Sequence, residues 1–539
     1  MTLSLPRSDL GNHIVTNQPI PRDARDLWAG DAALRSATAA CGGRGQNLSQ
    51  VGAVYGGETM LNAADDARRD LPRLTLFARS GRRLDEVAFT PGYHTCLGTG
   101  IEQGYASQPW DGQPGGHVSH AAHVYMLSQI EPAVCCPLTM TYAAVPALRA
   151  NPELDAIWAP RLTSGVYDPT TRPVSEKQGV TLGMAMTEKQ GGSDVRANST
   201  TATRDGDVYR LNGHKWFCSA PMSDGFLTLA YAEGGLTCFL VPRWLEGERN
   251  GIRLQRLKDK LGNKANASSE IEYVDALAYQ LGDEGDGVRT IIEMVHHTRL
   301  DTAMAPAGLM RAALAEAHWW AEGRSTFQRR LIDQPLMRSV LADLALDWEG
   351  ATAVGFFMAR AFDGDTAQDR ALARIGVALA KFLSNKRCIP VIGEAMEVLG
   401  GMGYVEETPM PWLYREAPLN GIWEGSGNVI CLDILRTLAR DPLAGEALNA
   451  TLDAARGHDP RFDAALEAHR ARWPALPEEG EARWFVESLA TLLTAAALFQ
   501  LAPNAVADGY VGTRVAGARG HILGAVSGLD TQAIISRIG

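Results

Sequence analysis

The sequence predicts an α+β protein in which helical segments flank one compact antiparallel β domain. Three observations carry this. Residues 181–287 hold short runs rich in Val, Thr, Tyr and Phe, separated by turn signals. Residues 288–440 hold long stretches with apolar residues at helical spacing. No strand–helix alternation of a parallel sheet is indicated. With 539 residues, 45% hydrophobic and 21% charged, the chain has ample material for a large core. A prior of about 150 residues per domain gives roughly three to four domains.

Residues 1–180 mix Gly- and Pro-rich loops with helices, expected around 116–130 and, after Cys135-Cys136-Pro137, around 140–151. In 181–287, Asp205-Gly206-Asp207 divides STTATR from VYRLNGHKWF, and Gly234-Gly235 divides FLTLAYA from LTCFLVP. Both read as hairpins. Stretches 304–322, 335–362 and 371–399 read as amphipathic helices, the last closed by Gly400, Gly401 and Gly403. Helices of this length pack as an antiparallel bundle. Residues 441–539 are again Ala/Leu-rich and helical, with breaks at Pro474, Pro477 and Pro503.

The net charge of −11 argues against a wholesale polyanion binder and leaves room for a local basic patch. The eight cysteines are scattered without a CxxC pair, as reduced thiols of a cytoplasmic protein would be. The opening MTLSLPRSDLGNHIV lacks the apolar core of a secretory signal. The longest apolar tract, near 491–503, is broken by Thr494, Gln500 and Pro503 and reads as too short to span a membrane.

Two segments carry the chemistry. In Met186-Thr-Glu-Lys-Gln-Gly-Gly-Ser-Asp-Val195, Gly191 and Gly192 let main-chain N–H groups approach an anion while Thr187 and Ser193 donate hydroxyls. The bland alternative is a strand end and turn with Ser193 and Asp194 capping backbone. The next hairpin, with His214-Lys-Trp-Phe-Cys-Ser219, offers aromatic faces to a flat ring. In Ile422-Trp-Glu-Gly-Ser-Gly-Asn428, Glu424 precedes Gly425 at what reads as the start of a helix. It is either a first-turn acid stabilised by the helix dipole or a base that removes a proton beside a carbonyl. In the second reading Gly425 leaves room for substrate, and the Glu424 N–H stabilises the enolate oxygen. The sequence contains no GxGxxG opening a helix, no P-loop and no GxSxG elbow. His117, His120 and His123 recur every third residue; no carboxylate or cysteine completes a site around them, so no metal is expected.

Together these segments resemble the acyl-CoA dehydrogenase superfamily, and within it the AidB branch. The likeness runs through NQPIPRD at Asn17, CCPLTMTYAA at Cys135, LGMAMTEKQGGSDV, GHKWF and LKDKLGNKANASSEIE at Leu257. It continues through EAMEVLGGMGY at Glu394 and YREAPLNGIWEGSGNVICLDILR ending at Arg436. The resemblance implies an N-terminal helical domain (1–180), a middle β-barrel or sandwich (181–287), a four-helix bundle (288–440) and an extra helical domain (441–539). It also implies one FAD per subunit and a homotetramer built as a dimer of dimers. Met186, Thr187, Gly192 and Ser193 would meet the flavin's polar edge and the substrate-facing loop. Phe217, Cys218 and Ser219 match the family's Trp-Ile-Thr segment, with Ser219 in place of the threonine that bonds near flavin N5. Arg324 and Phe327 match a pair that reaches the FAD of a neighbouring subunit. Trp423 precedes the base, and Ser426 and Asn428 match residues at the FAD phosphate and adenosine end.

Glu424 occupies the usual position of the catalytic base. The alternative position, used by isovaleryl-type members, holds Thr298 before Arg299. Glu397 and Pro335 stand where cofactor-contacting glutamines are common, and Trp423 replaces a commoner tyrosine, a larger ring that the resemblance would place so as to narrow the acyl pocket. The implied activity is α,β-dehydrogenation of an acyl-CoA. An alternative from the same resemblance is a DNA-binding flavoprotein of the alkylation-damage response with weak or vestigial activity. Double-stranded DNA would then meet Arg436, Arg514 and Arg519, although residues 441–539 carry eight Arg against twelve acids. A third outcome is FAD kept as a structural ligand alone.

Overall fold

The computed structural model describes residues 11–20, 22 and 24–539, so the opening tract 1–10, read above as lacking a signal, lies outside it. The chain divides into two compact units: Asn62–Thr302, and the residues before and after that span. In chain order, α1 (Ala32–Ala40), α2 (Gly45–Tyr55) and α3 (Glu58–Arg69) precede a hairpin of β1 (Arg73–Phe77) and β2 (Arg83–Ala88). Next come α4 (Pro91–Glu102), α5 (Gly116–Leu127), α6 (Pro132–Leu148) and α7 (Pro152–Leu162). The β region holds β3 (Leu182–Ala185), β4 (Thr201–Asp205), β5 (Val208–Ser219), β6 (Gly225–Ala232) and β7 (Gly235–Pro242). A short hairpin, β8 (Trp244–Leu245) with β9 (Glu248–Arg249), leads to β10 (Ile252–Leu257) and β11 (Ser268–Leu281). Helix α8 (Gly287–Gly323), a two-residue hairpin β12 (Ser325–Thr326)–β13 (Arg329–Arg330), α9 (Pro335–Asp363) and α10 (Ala367–Val398) follow. The chain ends with α11 (Met410–Glu416), α12 (Gly427–Arg440), α13 (Pro442–Ala454), α14 (Pro460–Arg472), α15 (Ala482–Leu501), α16 (Asn504–Tyr510) and α17 (Thr531–Ile535).

Within Asn62–Thr302 the strands close on themselves. β11 pairs with β10 and β5, β5 with β4, β4 with β6, β6 with β7, and β7 with the last three residues of β11. This closed barrel is filled by alternate side chains, among them Tyr209, Leu211, Phe226, Phe239, Val241, Ile271 and Tyr273. Both expected hairpins form, β4–β5 and β6–β7. Sequence reading expected an antiparallel domain, but the barrel is not wholly so: β3 runs parallel to β6, and a single parallel bridge joins Thr201 to Tyr231. The cause is the return loop after β3, which carries the chain through β4 and β5 before it reaches β3's neighbour. A Cβ on Gly183 would come within 2.7 Å of the Phe226 ring, so glycine lets these two strands close up.

Two further differences lie in the stretch read as helices and loops. Residues 73–88 form the β1–β2 hairpin, turned at Gly81 with φ 82°; the alternating Arg-Leu-Thr-Leu-Phe pattern carries that signal. Helix α6 begins at Pro132 and runs through Pro137 and Pro146. Burial on nearly every side offsets the backbone bonds that proline removes.

In the other unit α9 and α10, of 29 and 32 residues, lie side by side, and α12, α13 and α15 pack on them. The helices beyond residue 440 thus share the bundle's core. Arg311 ties both chain ends to it: Nε donates to Asp31 at 2.8 Å and Nη1 to the Ile538 carbonyl at 2.8 Å. The tract near 491–503, read as too short to span a membrane, is for the most part the second half of a longer helix, α15, which is long and apolar enough to do so. Its side chains from Leu489 to Leu498 are buried within the unit, as those of a core helix are.

Candidate active site

The Met186–Val195 loop is organised by a residue that sequence reasoning passed over. Glu188 is fully buried and accepts hydrogen bonds from the Ser199 N–H (2.7 Å) and Oγ (2.9 Å). It also accepts from Thr200 Oγ1 (2.6 Å) and from Lys215 Nζ (2.8 Å). Lys215, also fully buried, gives a further bond to the Leu229 carbonyl at 2.8 Å. Burial alone would raise the Glu188 carboxyl, but the hydrogen bonds from Lys215, Thr200 and Ser199 prevail and hold it at about 2. This pair fixes the loop against β5, where the Trp216 N–H donates to the Thr187 carbonyl at 2.7 Å. Glu188 and Lys215 each stand beside residues flagged above, which was the only hint in the sequence.

Gly192 packs so close to Thr187 that a Cβ would lie 2.4 Å from Thr187 Oγ1. Met186 is held by its carbonyl, which accepts from Asn198 at 3.1 Å, and Ser193 is exposed. At the end of β5, Phe217 presents its ring outward, 47% exposed, beneath Lys258 Nζ at 4.9 Å. Ser219 Oγ lies 3.0 Å from Ser268 Oγ. Cys218 departs from its expected role, because strand alternation turns its side chain into the barrel core. Burial raises its thiol to about 12, so only its backbone can face a ligand.

In the other unit, Glu424 does not sit in the first turn of a helix. α12 begins at Gly427 with Ser426 as its N-cap, and Glu424 lies in the preceding turn with φ 56°, followed by Gly425 at φ 100°. A left-handed non-glycine residue costs about 1–3 kcal/mol, and such strain persists only where its surroundings impose it. Here they do. Lys381 of α10, 1% exposed, donates from Nζ to the carbonyls of Asn420 (2.9 Å) and Gly425 (2.8 Å), clamping both ends of the turn that carries Glu424. Trp423 is anchored inside that turn, its Nε1 donating to Asn420 Oδ1 at 2.7 Å. Asn428 Oδ1 accepts from Arg483 Nη1 at 2.8 Å.

Arg324 donates to the Asn17 carbonyl at 2.7 Å. Phe327 stands at the tip of the β12–β13 hairpin, 95% exposed, with φ 51° there and 63° at Gln328. Of the three arginines expected to meet DNA, one is buried and one is engaged by an acid. Arg436 is exposed on α12, but the Arg514 guanidinium is sealed between Asp343 and Asp347, reaching Asp347 Oδ2 at 2.8 Å. Arg519 is bound to Asp343 Oδ2 at 3.2 Å. The three histidines are core residues. His120 bridges Asp301 and the Tyr105 carbonyl, each at 2.7 Å, and burial pushes His123 down to about 3.

With this geometry in hand, comparison with known proteins is specific. Residues 17–169 match the Adaptive response protein AidB N-terminal domain, residues 183–276 the acyl-CoA dehydrogenase middle domain and residues 285–439 its C-terminal domain. The chain is 44% identical over 463 residues to an Escherichia coli protein named "Putative acyl-CoA dehydrogenase AidB", covering 84% of this chain and 85% of that one. It is 33% identical over 394 residues to acyl-CoA dehydrogenase family member 11 of Caenorhabditis elegans, covering 69% of this chain and 63% of that one. The crystal structure of C. elegans ACDH-11 in complex with C11-CoA superposes with a TM-score of 0.83 at 26% identity, over 94% of this chain and 93% of that one. A closed β barrel, a long-helix bundle and a strained glutamate–glycine turn thus fall where relatives of known kind have their domains, and the chain belongs to the acyl-CoA dehydrogenase family, in its AidB branch.

Proposed function

We propose that this protein is an FAD-dependent oxidoreductase that introduces a double bond between Cα and Cβ of an acyl-CoA, with Glu424 as the base. The observation that carries the proposal is the Glu424 turn, a carboxylate held in a costly backbone conformation by a buried lysine on the bundle's central helix. The 44% identity to the E. coli relative supports the same reading. The name of the nematode complex, with C11-CoA, supports an acyl-CoA substrate.

The residues suit the cofactor. Thr187, Gly192, Ser193 and Ser219 give hydroxyls and close backbone, Phe217 gives an outward ring, and Ser426 and Asn428 stand at a helix start. When bound, FAD supplies the acceptor for the hydrogen and electron pair that leave Cβ. Glu424 takes the proton from Cα, and the electrons left behind form the new double bond. Its backbone N–H is assigned to the thioester oxygen, where charge develops. Incubation with straight-chain and branched acyl-CoAs and an artificial electron acceptor tests this. Products two hydrogens lighter are expected, and intact substrate throughout would refute the activity.

Gly192→Ala is expected to keep the fold and lose flavin. Crowding of this kind costs about 1–3 kcal/mol, or roughly fivefold to a hundredfold in FAD affinity. Fluorescence titration of the flavin-free variant measures it. The exposed, left-handed Phe327 supports assembly with further copies of the chain, consistent with a tetramer. Phe327→Ser is expected to weaken that association about thirtyfold, as removal of an interface anchor worth about 2 kcal/mol does. Sedimentation velocity reads it as a shift to smaller species, and an unchanged distribution would remove Phe327 from the interface.

A further inference from the structure

We infer that a cavity at one end of the β barrel binds a small aromatic carboxylate, with Arg243 as the partner of its anionic group. The cavity lies within Asn62–Thr302 and is lined by none of the residues assigned to flavin or acyl-CoA, so the inference does not rest on the FAD reading.

Ala220 follows β5, Asp224 precedes β6 and Arg243 follows β7. Together with the end of β2, α4 and residues between 167 and 181 they enclose about 300 Å³, the lower end of the range for small-molecule sites. Ala88, Pro169 and Thr171 are exposed and form its rim.

Arg243 is 3% exposed, and a buried guanidinium ordinarily has its charge and its N–H groups met. Here they are not. Nε donates to the Ser223 carbonyl at 3.0 Å, and Nη1 reaches the Met222 sulfur at 4.0 Å. Among the described residues Nη2 has no hydrogen-bond partner. Glu86 Oε1 lies 3.7 Å from Arg243 and takes its short bond from Arg249. Asp224 is occupied as well, accepting from Lys177 Nζ at 2.6 Å and from the Thr181 N–H at 2.9 Å. Asp168 turns to its own loop and accepts from the Thr170 N–H at 2.9 Å. Lys177, Arg243 and Arg249 thus face Glu86 and Asp224, and the charge left over is that of Arg243. Burial lowers its guanidinium from the ordinary value although Asp224 and Glu86 oppose the shift.

Ser223 points to a ligand independently. It lines the same cavity, is 3% exposed, and its hydroxyl has no hydrogen-bond partner. Buried hydroxyls are seldom left so. Its own carbonyl holds Arg243 Nε, which brings the two side chains together. A carboxylate seated on the guanidinium edge has oxygens for both.

The opposite wall is aromatic. Phe89 and Tyr93 stack with ring centres 4.0 Å apart, and His94 meets both edge-on. Tyr167 is joined to His94 Nδ1 through its hydroxyl at 2.6 Å. A flat ring packs on such a wall better than an aliphatic chain, and an inorganic anion would leave it unused.

The test titrates the purified full-length protein calorimetrically with 3-phenylpropanoate, its uncharged amide, and hexanoate. One equivalent of 3-phenylpropanoate per chain is expected, with Kd below about 1 mM. The amide and hexanoate should each bind at least tenfold more weakly. Arg243→Gln is expected to weaken 3-phenylpropanoate about thirtyfold, the loss of a charge-assisted contact. Ser223→Ala removes a hydroxyl that bonds nothing in the protein. It should therefore melt no lower than wild type yet bind about tenfold more weakly, which keeps the test decisive if Arg243→Gln fails to fold. No saturable binding of 3-phenylpropanoate would overturn the inference, as would wild-type affinity in Ser223→Ala. Equal affinity for acid and amide would overturn the role of Arg243, and equal affinity for hexanoate the aromatic assignment. Displacement of the acid by acyl-CoA or FAD would overturn the separateness of the site.

Discussion

Glu424→Gln is expected to retain bound FAD and to reduce flavin reduction by acyl-CoA at least 10²- to 10⁴-fold, the usual scale of general-base catalysis. The substitution is nearly isosteric, and Lys381 holds the turn through its bonds to the carbonyls of residues 420 and 425, which the substitution leaves in place. The turn should therefore persist with its strained backbone, and only proton abstraction should fail. Stopped-flow measurement of flavin bleaching under anaerobic conditions gives the rate directly. A variant that bleaches at the wild-type rate would transfer the base to another residue.

Lys215→Met is expected to be the most destabilising single change near the cofactor loop. It leaves the Glu188 carboxylate buried without its cation, and breaking a buried pair in this way costs about 3–5 kcal/mol. Pairing it with Glu188→Gln should recover part of the loss, since no charge is then left uncompensated. Thermal unfolding of the flavin-free proteins reads both effects. Flavin content should fall as well, because Lys215 adjoins the Trp216 N–H that secures Thr187.

The pH dependence has a defined sign. In wild type Glu188 is held at about 2, below the usual unfolded carboxylate value near 4.3, so its contribution is complete above that value and is lost as pH falls toward 2. In Lys215→Met the same carboxyl is buried without its cation, and protonation relieves it. The stability gap between variant and wild type should therefore narrow on acidification from pH 7 to pH 4. A constant gap would mean that the pair has no electrostatic role.

How much was legible in the sequence depended on the range of the interaction. The hairpins at Asp205-Gly206-Asp207 and Gly234-Gly235, and the helices ending at Asp363 and Val398, follow from local periodicity and turn chemistry. The parallel contact of β3 with β6 does not, because it joins strands separated by an intervening hairpin. The β1–β2 alternation was overridden by the helical stretches around it. Residue identities located the loop at Thr187 and the acid at 424, yet what holds them was hidden. Glu188 with Lys215, and Lys381 with residues 420 and 425, are buried polar contacts across 27 to 44 positions, and no local pattern marks such a contact. Arg514 failed as a surface residue for the same reason. Its partners, Asp343 and Asp347, lie on a helix more than 160 positions away.

The most direct measurement is an anaerobic titration of the purified protein with acyl-CoA thioesters, following the yellow absorbance of its flavin. At least one thioester is expected to bleach the band with one equivalent per bound flavin and to yield the corresponding enoyl-CoA. A protein that carries FAD yet keeps its full colour with every thioester would contradict the assignment of Glu424 as a working base.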